Sequence, residues 1–472
     1  MRKRIHSGLC MLVSTLLVTT LFLTSCTHQT LPSTTTAKPS SEPTTQTKPV
    51  PDYFEPVSPE NLTNEDSTPI IIYSWNDEFK GLIDKYYAVD HPDFSYDCRI
   101  TEITKYQDAL DAVLAAGDGA PDIFLMEADF AKKYVDSDNT LGIAELGITH
   151  YDKNYQLNYN YDDLSSQFGA AYFCVEDASH AVKALTWQVS PGGVFYNREL
   201  AKTYLGSDDP AVVQKSFASF DAFMAMAQKL NTDSAGKVKA ISGYDDIWRS
   251  FANTRATGWV VDGKINIDPQ MDKYLDYAKQ IKDEGLSFET AQWSADWTAN
   301  MSNSSVLSYW GPMWLLNPDM SISYAAAMQP NPGKWGVCAP PVSFAQGGSF
   351  IAASRFDNNK KTTYDLLKYF TLDAASMGKM AADGIFVNNW AIMEAVGKDP
   401  KVDVSGVDME NPYSVLNFEA MKLDLSAVTA NDPAINAIFQ QKVAAYMNGE
   451  FASVADAEAA FIKDCTDAGV LQ

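Results

Sequence analysis

The segment GDGAPDIFLMEADF, residues 117–130, decides the fold. Its Pro-Asp pair introduces four consecutive apolar residues, Ile123–Met126, which is typical of a buried strand. Upstream, residues 68–75 (TPIIIYSW) form a second apolar run with β-type composition, and residues 98–103 alternate as a strand does. Apolar residues at helical spacing separate these runs. The resulting β-α-β-α-β order predicts an α/β protein with a parallel sheet and right-handed crossovers.

The carboxyl ends of these predicted strands are the first candidates for a binding site, because ligands of such sheets bind there. Two of these ends carry polar groups next to a helix start, at residues 74–77 (SWND) and 126–129 (MEAD). Further strand and helix patterns continue along the chain. They include a helix over residues 220–230 capped by Ser219 and two closing helices at residues 434–448 and 454–467.

Length and composition restrict the class of protein. The chain has 472 residues, and a single core stops growing near ~250–300 residues, so two lobes are expected. The net charge of −24 argues against a nucleic-acid partner. Five scattered histidines make a histidine metal site improbable. We predict no metal, no cofactor and no catalytic residue, since no P-loop, GxGxxG or nucleophile motif occurs.

The N-terminus predicts a secretion signal. Three basic residues precede an apolar run of 16 residues at 8–23, which is short for a membrane span. The run ends in Leu23-Thr24-Ser25-Cys26, which resembles a bacterial lipobox and implies a signal peptide over residues 1–25 with a lipidated Cys26. The alternative is an ordinary signal with a chance cysteine. A diacylated cysteine would anchor the protein to the extracytoplasmic face of the cell membrane without spanning it.

A tether is predicted after the anchor, over residues 26–64. Nineteen of the 34 residues from 27 to 60 are Thr, Ser or Pro, a composition that cannot bury a core. Four cysteines remain beyond it: Cys98, Cys174, Cys338 and Cys465. They allow three full pairings, and we favour free thiols over bridges.

The order of features from about residue 70 to residue 461 resembles the family 1 extracellular solute-binding proteins, the maltodextrin-binding-protein-like receptors of ABC importers for carbohydrates. Each motif is degenerate by itself, but their order and spacing after a lipobox are jointly specific. The segments that carry the resemblance are IIIYSW (70–75), GDGAPDIFLMEADFAKKYVDS (117–137), TWQVSPGGVFYNRELAKTYLG (186–206), VLSYWGPMWLL (306–316), WGVCAPPV (335–342), GGSFIAASRFDNNKKTTYDLLKYF (347–370) and YMNGEFASVADAEAAF (446–461).

The resemblance implies a two-lobed periplasmic-binding-protein-like fold with a discontinuous hinge and a ligand cleft between the lobes. Lobe one would comprise residues 65–190 and 348–388, and lobe two residues 191–346 and 389–472. The chain would cross between them near residues 190–193, 345–349 and 387–390. If disulfides form, this map pairs Cys98 with Cys174 and Cys338 with Cys465. The implied partners are a carbohydrate ligand and the subunits of an ABC permease, with the receptor a monomer.

Aromatic rings would stack on the apolar faces of a sugar. Trp75 is a candidate because it ends a predicted strand. The resemblance places Trp310 and Trp314, on either side of a Gly-Pro turn, in the family's aromatic binding region. It also favours Trp248, in the segment GYDDIWR, and more weakly Trp187, before the first crossing. The alternative for every tryptophan is packing in the core.

Polar groups would bind the sugar hydroxyls. Asp129 matches the position of a carboxylate that binds sugar in the family, although an N-cap role would also explain it. The further candidates are Asn76, Glu127, Asp245, Arg249, Gly347, Gly348 and Ser349. For the charged residues the alternative is a solvated surface, and for the glycines it is a tight turn. Residues 190–193 (SPGG) lack the acid that the family can carry at the first crossing, so its hydrogen-bond pattern does not transfer.

Two other functions remain open from the residues alone. A surface glycoside hydrolase or lyase would also use aromatic rings and carboxylates, with two acids about 5–10 Å apart around the scissile bond. A surface adhesin would need neither closure nor turnover. Incubation with mixed oligosaccharides separates the three, since an enzyme turns them over, a receptor retains them and an adhesin does neither.

Replacing Cys26 by alanine should abolish lipidation, because the thiol is the group that the lipid would modify. We expect either a membrane-attached precursor or a shed soluble form. Incorporation of labelled fatty acid by cells making the Cys26→Ala protein measures this, with the wild-type protein as the positive control. Undiminished labelling of the variant would show that Cys26 is not the anchor.

Overall fold

The structure is a computed structural model that describes residues 57–65, 68–149, 163–169, 171, 175–179, 181–315, 335–402 and 411–470. Its strands are β1 Ile70–Ser74, β2 Tyr96–Ile100, β3 Ile123–Glu127, β4 Ala184–Thr186, β5 Gly193–Asn197, β6 Val260–Val261, β7 Lys264–Ile265, β8 Ser308–Gly311, β9 Trp335–Cys338 and β10 Ser349–Ala353.

Helices occupy most of the connections between the strands. They are α1 Glu78–Leu82, α2 Ala88–Asp90, α3 Ile103–Ala116, α4 Ala128–Val135, α5 Arg198–Tyr204, α6 Pro210–Val213, α7 Phe220–Asp233, α8 Trp248–Ala252, α9 Pro269–Asp283, α10 Ala295–Ser302, α11 Lys360–Thr371, α12 Ala374–Ala382, α13 Trp390–Lys398, α14 Pro412–Lys422, α15 Asp432–Met447 and α16 Val454–Asp467. A π-helical turn, Ile83–Tyr87, joins α1 to α2, and short 3-10 turns cover Pro59–Asn61, Ile143–Leu146, Gln214–Phe217, Tyr244–Ile247 and Met313–Leu315.

The first sheet has the strand order β2-β1-β3-β10-β4. Strand β1 pairs in parallel with β2 and β3, which confirms the predicted parallel arrangement, whereas β10 returns antiparallel between β3 and β4. The four apolar residues of β3 are all buried because the strand lies inside the sheet, while the edge strand β2 is largely exposed. The continuous apolar run that predicted β3 therefore reflects burial on both faces.

The second sheet contains β8, β5 and β9 in that order, and all its pairings are antiparallel. Neighbouring side chains of the central strand β5 enter different cores, since side chains alternate across a strand. Phe195 packs in the core that surrounds the first sheet, whereas Val194 and Tyr196 pack in a second core. This second core includes the closing helices through Phe439 and Phe461.

The helix signals in the sequence match the structure closely. Ser219 caps α7, and its Oγ accepts a hydrogen bond from the backbone N–H of Ala222 at 3.1 Å. Gly117 ends α3 with a φ of +76°, a conformation that glycine adopts without strain. The predicted helix over residues 454–467 is found with those bounds, and its partner α15 begins two residues before its predicted start, at Asp432.

Three chain segments lie side by side between the two sheets. We call them the connecting segments, residues 187–193, 344–348 and 386–388. The first and second segments are joined by two hydrogen bonds. The N–H of Gly192 donates to the carbonyl of Phe344 at 2.7 Å, and the N–H of Gln346 donates to the carbonyl of Ser190 at 3.1 Å. The third segment bonds to the first through Val189 and Asn388, at 3.1 and 2.8 Å. The lobe boundaries drawn through these segments stay a prediction.

Among the described residues, Cys98, Cys338 and Cys465 are not joined to one another by a disulfide. The conditional pairing of Cys338 with Cys465 is therefore not formed. Cys174, the fourth thiol, lies outside the described residues, and so do Cys26 and the tether up to residue 56.

Gly192 is fixed where the connecting segments meet, so Gly192→Ala should destabilise the protein. A Cβ there would lie 2.1 Å from the ring of Phe344, which is 1% exposed, so the ring or the backbone would have to shift. We expect a loss of ~1–3 kcal/mol in the free energy of unfolding, measured with denaturant. Gly378→Ala in α12 is the matched control, because no neighbouring atom lies within 4 Å of its Cβ. Equal stabilities for the two variants would contradict this account.

Candidate functional site

The candidate site starts at the carboxyl end of β3. Glu127 ends this strand and caps α4, its side chain accepting a hydrogen bond from the N–H of Asp129 at 2.8 Å. The N-cap role considered for Asp129 therefore belongs to Glu127. Because Glu127 caps the helix, the side chain of Asp129 is available to contact another element.

Asp129 reaches Arg249 of α8 in a bidentate ion pair. The Nη1 and Nη2 atoms of Arg249 donate to Oδ1 and Oδ2 of Asp129, each at 2.6 Å. Because α4 packs in the core around the first sheet and α8 packs in the second core, this ion pair joins elements of the two cores. Arg249, a minor candidate from the sequence, is thus in direct contact with the main polar candidate.

The ion pair sets the charge of the site. Burial and the negative charge of Asp129 raise the pKa of Glu127 to about 8, against the opposing effect of Arg249. Burial would also raise the pKa of Asp129, but the guanidinium of Arg249 overrides it and lowers that pKa. At neutral pH Glu127 therefore carries a proton, and the three side chains together are electrically neutral.

A cavity of ≈ 220 Å³ lies against this ion pair. Five of the predicted residues line it: Asp129, Trp248, Arg249, Gly347 and Gly348. Polar atoms also reach it from residues that sequence reasoning did not select: Gln188, Ser190, Asn253 and Asn436. One apolar wall comes from Leu423, Leu425, Val428 and Pro433, in the connection from α14 to α15 and the first turn of α15. No sequence signal marks that wall, since an apolar loop residue has the same pattern whether it packs in a core or lines a cavity.

Gly347 and Gly348 link the cavity to Trp314. Their φ angles of +67° and +121° explain why both are glycine, so the tight-turn interpretation holds. Their position also brings the backbone close to the site. A Cβ on Gly347 would lie 3.7 Å from the ring of Trp314 and 3.8 Å from Oε1 of Glu127. The carbonyl of Gly348 accepts the N–H of Ala128, which starts α4, at 3.0 Å.

The predicted aromatic residues divide into two groups. Trp314 is half-buried, and its Nε1 donates to the carbonyl of Gln346 at 3.3 Å. Trp75 is also half-buried, edge-on to Tyr106 and Phe130 at 5.8 Å. Both keep part of the ring exposed to solvent, but neither is among the residues that line the cavity.

Trp310 and Trp187 pack in the core instead, which corrects their selection as binding residues. Trp310 is 0% exposed and lies among the rings of Phe217, Phe220, Phe223 and Phe344. Trp187 is 1% exposed and stacks on Phe79 with ring centroids 5.3 Å apart. Strand alternation in β8 turns Trp310 into the second core, away from Trp314, which follows the strand in a 3-10 turn. A shared Gly-Pro turn therefore does not place both rings on one surface.

The remaining polar candidates have local partners. Asn76 accepts the N–H of Glu78 through Oδ1 at 3.2 Å and so stabilises the start of α1. Asp245 accepts the N–H of Gln292 through Oδ2 at 2.8 Å, and burial raises its pKa. Ser349 donates through Oγ to Oε2 of Glu78 at 3.0 Å. These residues support the walls of the site, and none of them lines the cavity.

Glu78 is a residue that sequence reasoning missed. Besides Ser349, it accepts a hydrogen bond from Nε2 of Gln188, a cavity residue, at 3.3 Å. Burial raises the pKa of Glu78 to about 7, although both hydrogen bonds act to lower it. Its position one turn beyond β1 was a possible signal, because polar residues after a strand end are site candidates.

Within the described part of the chain, no group of three or more His, Cys, Asp or Glu side chains is arranged to hold a metal ion. Among the same residues, no helix has the length and apolarity to cross a membrane.

A family model for the bacterial extracellular solute-binding proteins matches residues 83–404, and this chain belongs to that family. The fold agrees with solved structures. An extracellular solute-binding protein of family 1 superposes with a TM-score of 0.68 at 18% identity, covering 84% of this chain and 100% of that one. No curated protein matches the sequence.

Two sugar-related structures show the same fold. The ABC transporter associated binding protein from B. animalis subsp. lactis Bl-04, in complex with beta-1,6-galactobiose, has a TM-score of 0.62 at 19% identity over 86% of this chain and 98% of its own. The sugar-binding protein MalE from Xanthomonas citri has a TM-score of 0.64 at 14% identity, over 84% and 96% respectively. The predicted family and fold class are thereby confirmed.

The pKa of Glu78 predicts a pH-dependent stability. In the unfolded chain this carboxyl titrates near 4.5 and in the folded protein near 7, so the folded state holds the proton more tightly between these values. The contribution of Glu78 to stability is therefore greatest below pH 4.5 and is lost as the pH rises through 7. Glu78→Gln, which cannot ionise, should be more stable than wild type at pH 8 by on the order of 2 kcal/mol and equal to it at pH 4.5.

Urea unfolding at several pH values measures this difference. Glu450→Gln, at an exposed glutamate, is the matched control and should follow the wild-type profile. Other buried acids, such as Asp246 and Asp357, also have pKa values raised to about 7 by burial, so only the difference between variants isolates Glu78. A wild-type protein that gains stability relative to Glu78→Gln above pH 7 would refute the assignment.

Proposed function

We propose that this protein is a lipid-anchored receptor on the extracytoplasmic face of the cell membrane, which captures an oligosaccharide by lobe closure and delivers it to the permease of an ABC importer. The family membership supports the transport role, since the family and the similar structures are binding proteins of transport. The lipobox-like segment 23–26 and the Thr/Ser/Pro-rich tether support the anchor.

One observation carries the choice of carbohydrate: a half-buried indole lies beside hydrogen-bonding groups in a site without net charge. Trp314 offers a ring face to an apolar sugar face. Gly347 has no side chain to fill the space between this ring and Glu127. Protonated Glu127 can donate as well as accept, which suits a hydroxyl group. Similar structures are described in complex with a galactobiose and with lacto-N-biose, both neutral saccharides.

Closure of the two lobes would be favoured by the Asp129–Arg249 ion pair. Its two hydrogen bonds, each 2.6 Å long, connect α4 and α8, the elements that would separate when the cleft opens. An Arg–carboxylate fork is directional and well suited to fixing one relative position of two rigid bodies. The hydrogen-bonded connecting segments would then act as the hinge.

A glycoside hydrolase is the alternative in another class, and Glu127 and Asp129 are the acids it would use. Their pKa values do differ, as those of an acid and a nucleophile would. However, Arg249 engages both oxygens of Asp129, and the two acids stand two residues apart on one side of the site rather than around a bond. This arrangement favours binding without turnover.

Binding of neutral oligosaccharides, measured by calorimetric titration with a panel of gluco- and galacto-oligosaccharides, tests the proposal. Chromatography of the recovered sugar checks for turnover. Stoichiometric binding with intact sugar supports a receptor, whereas cleavage of the sugar indicates the hydrolase. A wild-type protein that neither binds nor cleaves any member of the panel would overturn the carbohydrate proposal.

Trp314→Ala should weaken this binding much more than it weakens folding. The lost ring contact costs ~1–3 kcal/mol, or about 5- to 150-fold in affinity. Trp390→Ala is the matched control, since Trp390 is 40% exposed and bonds through Nε1 to the carbonyl of Ser165. An unchanged affinity together with a sharply lowered melting temperature would identify Trp314 as a core residue.

A further inference from the structure

Trp293 combines two properties that rarely occur together. It is 38% exposed, and its φ is +70°. Five non-glycine residues have a positive φ in the described part of the chain: Ala235, Asp262, Glu289, Trp293 and Ser304. Trp293 is the one aromatic residue among them. A bulky side chain in this region is a conformational outlier that the surroundings must maintain.

The preceding residue, Gln292, is held by two hydrogen bonds, one through its backbone and one through its side chain. Its N–H donates to Oδ2 of Asp245 at 2.8 Å, and its Oε1 accepts from Nε2 of Gln346 at 3.3 Å. Gln346 belongs to the connecting segments, so this loop is attached to the part of the fold that joins the two sheets. The strained backbone at Trp293 is thereby fixed rather than free to relax.

The backbone conformation of Trp293 determines where its indole ring lies. The indole of Trp293 lies 5.7 Å from that of Trp314 with a tilt of 36°. On its other side it contacts Trp297, at 4.9 Å, and Trp297 is fully buried and bonded through Nε1 to Asp246 at 2.7 Å. A buried, anchored ring thus supports a partly exposed ring, which lies beside that of Trp314.

Packing alone does not account for this arrangement. A core tryptophan gains stability from burial, as Trp297 and Trp310 do with 0% exposure. Trp293 leaves more than a third of its surface in solvent, and its backbone conformation costs free energy. Strain retained to present an apolar ring is typical of ligand-binding positions.

We propose that Trp293 is a second stacking residue of the site, which makes it select saccharides of two or more units over monosaccharides. The inference rests on the proposed carbohydrate function and deepens it. One indole face covers about one pyranose ring, so the two adjoining indoles provide a platform for two. A monosaccharide on Trp314 would leave Trp293 in contact with water.

The test compares variants that separate the ring from the strain. Trp293→Gly removes both the ring and the strain, because glycine adopts a φ of +70° readily. Trp293→Ala removes the ring and keeps the strain. Trp293→Phe keeps an aromatic ring. Trp390→Ala is again the exposed control. Calorimetric titration uses glucose, galactose, and their α-1,4- and β-1,6-linked di- and trisaccharides, and a thermal melt is recorded for each protein without sugar.

For the bound disaccharide we expect Trp293→Gly and Trp293→Ala to lose tenfold or more in affinity, while the affinity for the corresponding monosaccharide changes less than twofold. Trp293→Phe should retain most of the disaccharide affinity. Trp293→Gly should melt no lower than Trp293→Ala. Equal losses for mono- and disaccharide, unchanged disaccharide binding, or a Trp293→Gly protein that melts well below Trp293→Ala would each overturn the inference. If wild type binds no saccharide of the panel, the proposed function fails and this inference fails with it, whereas disaccharide binding that survives in the variants refutes this inference alone.

Discussion

Hydrogen bonding among the three connecting segments is the constraint on which the rest of the structure depends. Gly192 and Ser190 of the first segment form backbone hydrogen bonds with Phe344 and Gln346 of the second. Gln188 of the first segment pairs with Val387 of the third. This pairing fixes where the chain leaves the first sheet after β4, where it enters the second sheet at β5, and where it returns to the first sheet at β10. The end of β3, the turn at Gly347 and the loop that carries Trp314 therefore meet at one place.

The electrostatics of the site follow from that convergence. Two carboxyl groups, Glu127 and Asp129, act on one guanidinium, Arg249, whose side chain is 23% exposed. The ion pair satisfies one acid completely, and the other keeps its proton at neutral pH. A site built this way offers hydrogen bonds without a net charge, although the chain as a whole carries a charge of −24. Neutral hydroxylated ligands fit such a site better than ions do.

Prediction from the sequence succeeded where one local pattern determines one local structure. The apolar run of β3, the cap at Ser219 and the helix end at Gly117 each depend on residues within a few positions. It failed for Trp310, because whether a tryptophan in a short strand faces a core or a cleft depends on which sheet lies beside it. Glu78 and Trp293 were missed for a related reason, since each becomes notable only through neighbours that are distant in sequence.

The sequence by itself thus determined the α/β class, the parallel start of the first sheet, several helix ends and, through its ordered motifs, the family. These are properties of hydrophobic period, capping and turn residues, which act over short distances along the chain. The tertiary structure alone decided which aromatic rings stay exposed, that Asp129 pairs with Arg249, and that Glu127 retains its proton. Those properties depend on burial and on charges separated by more than a hundred residues, and burial is a property of the assembled fold.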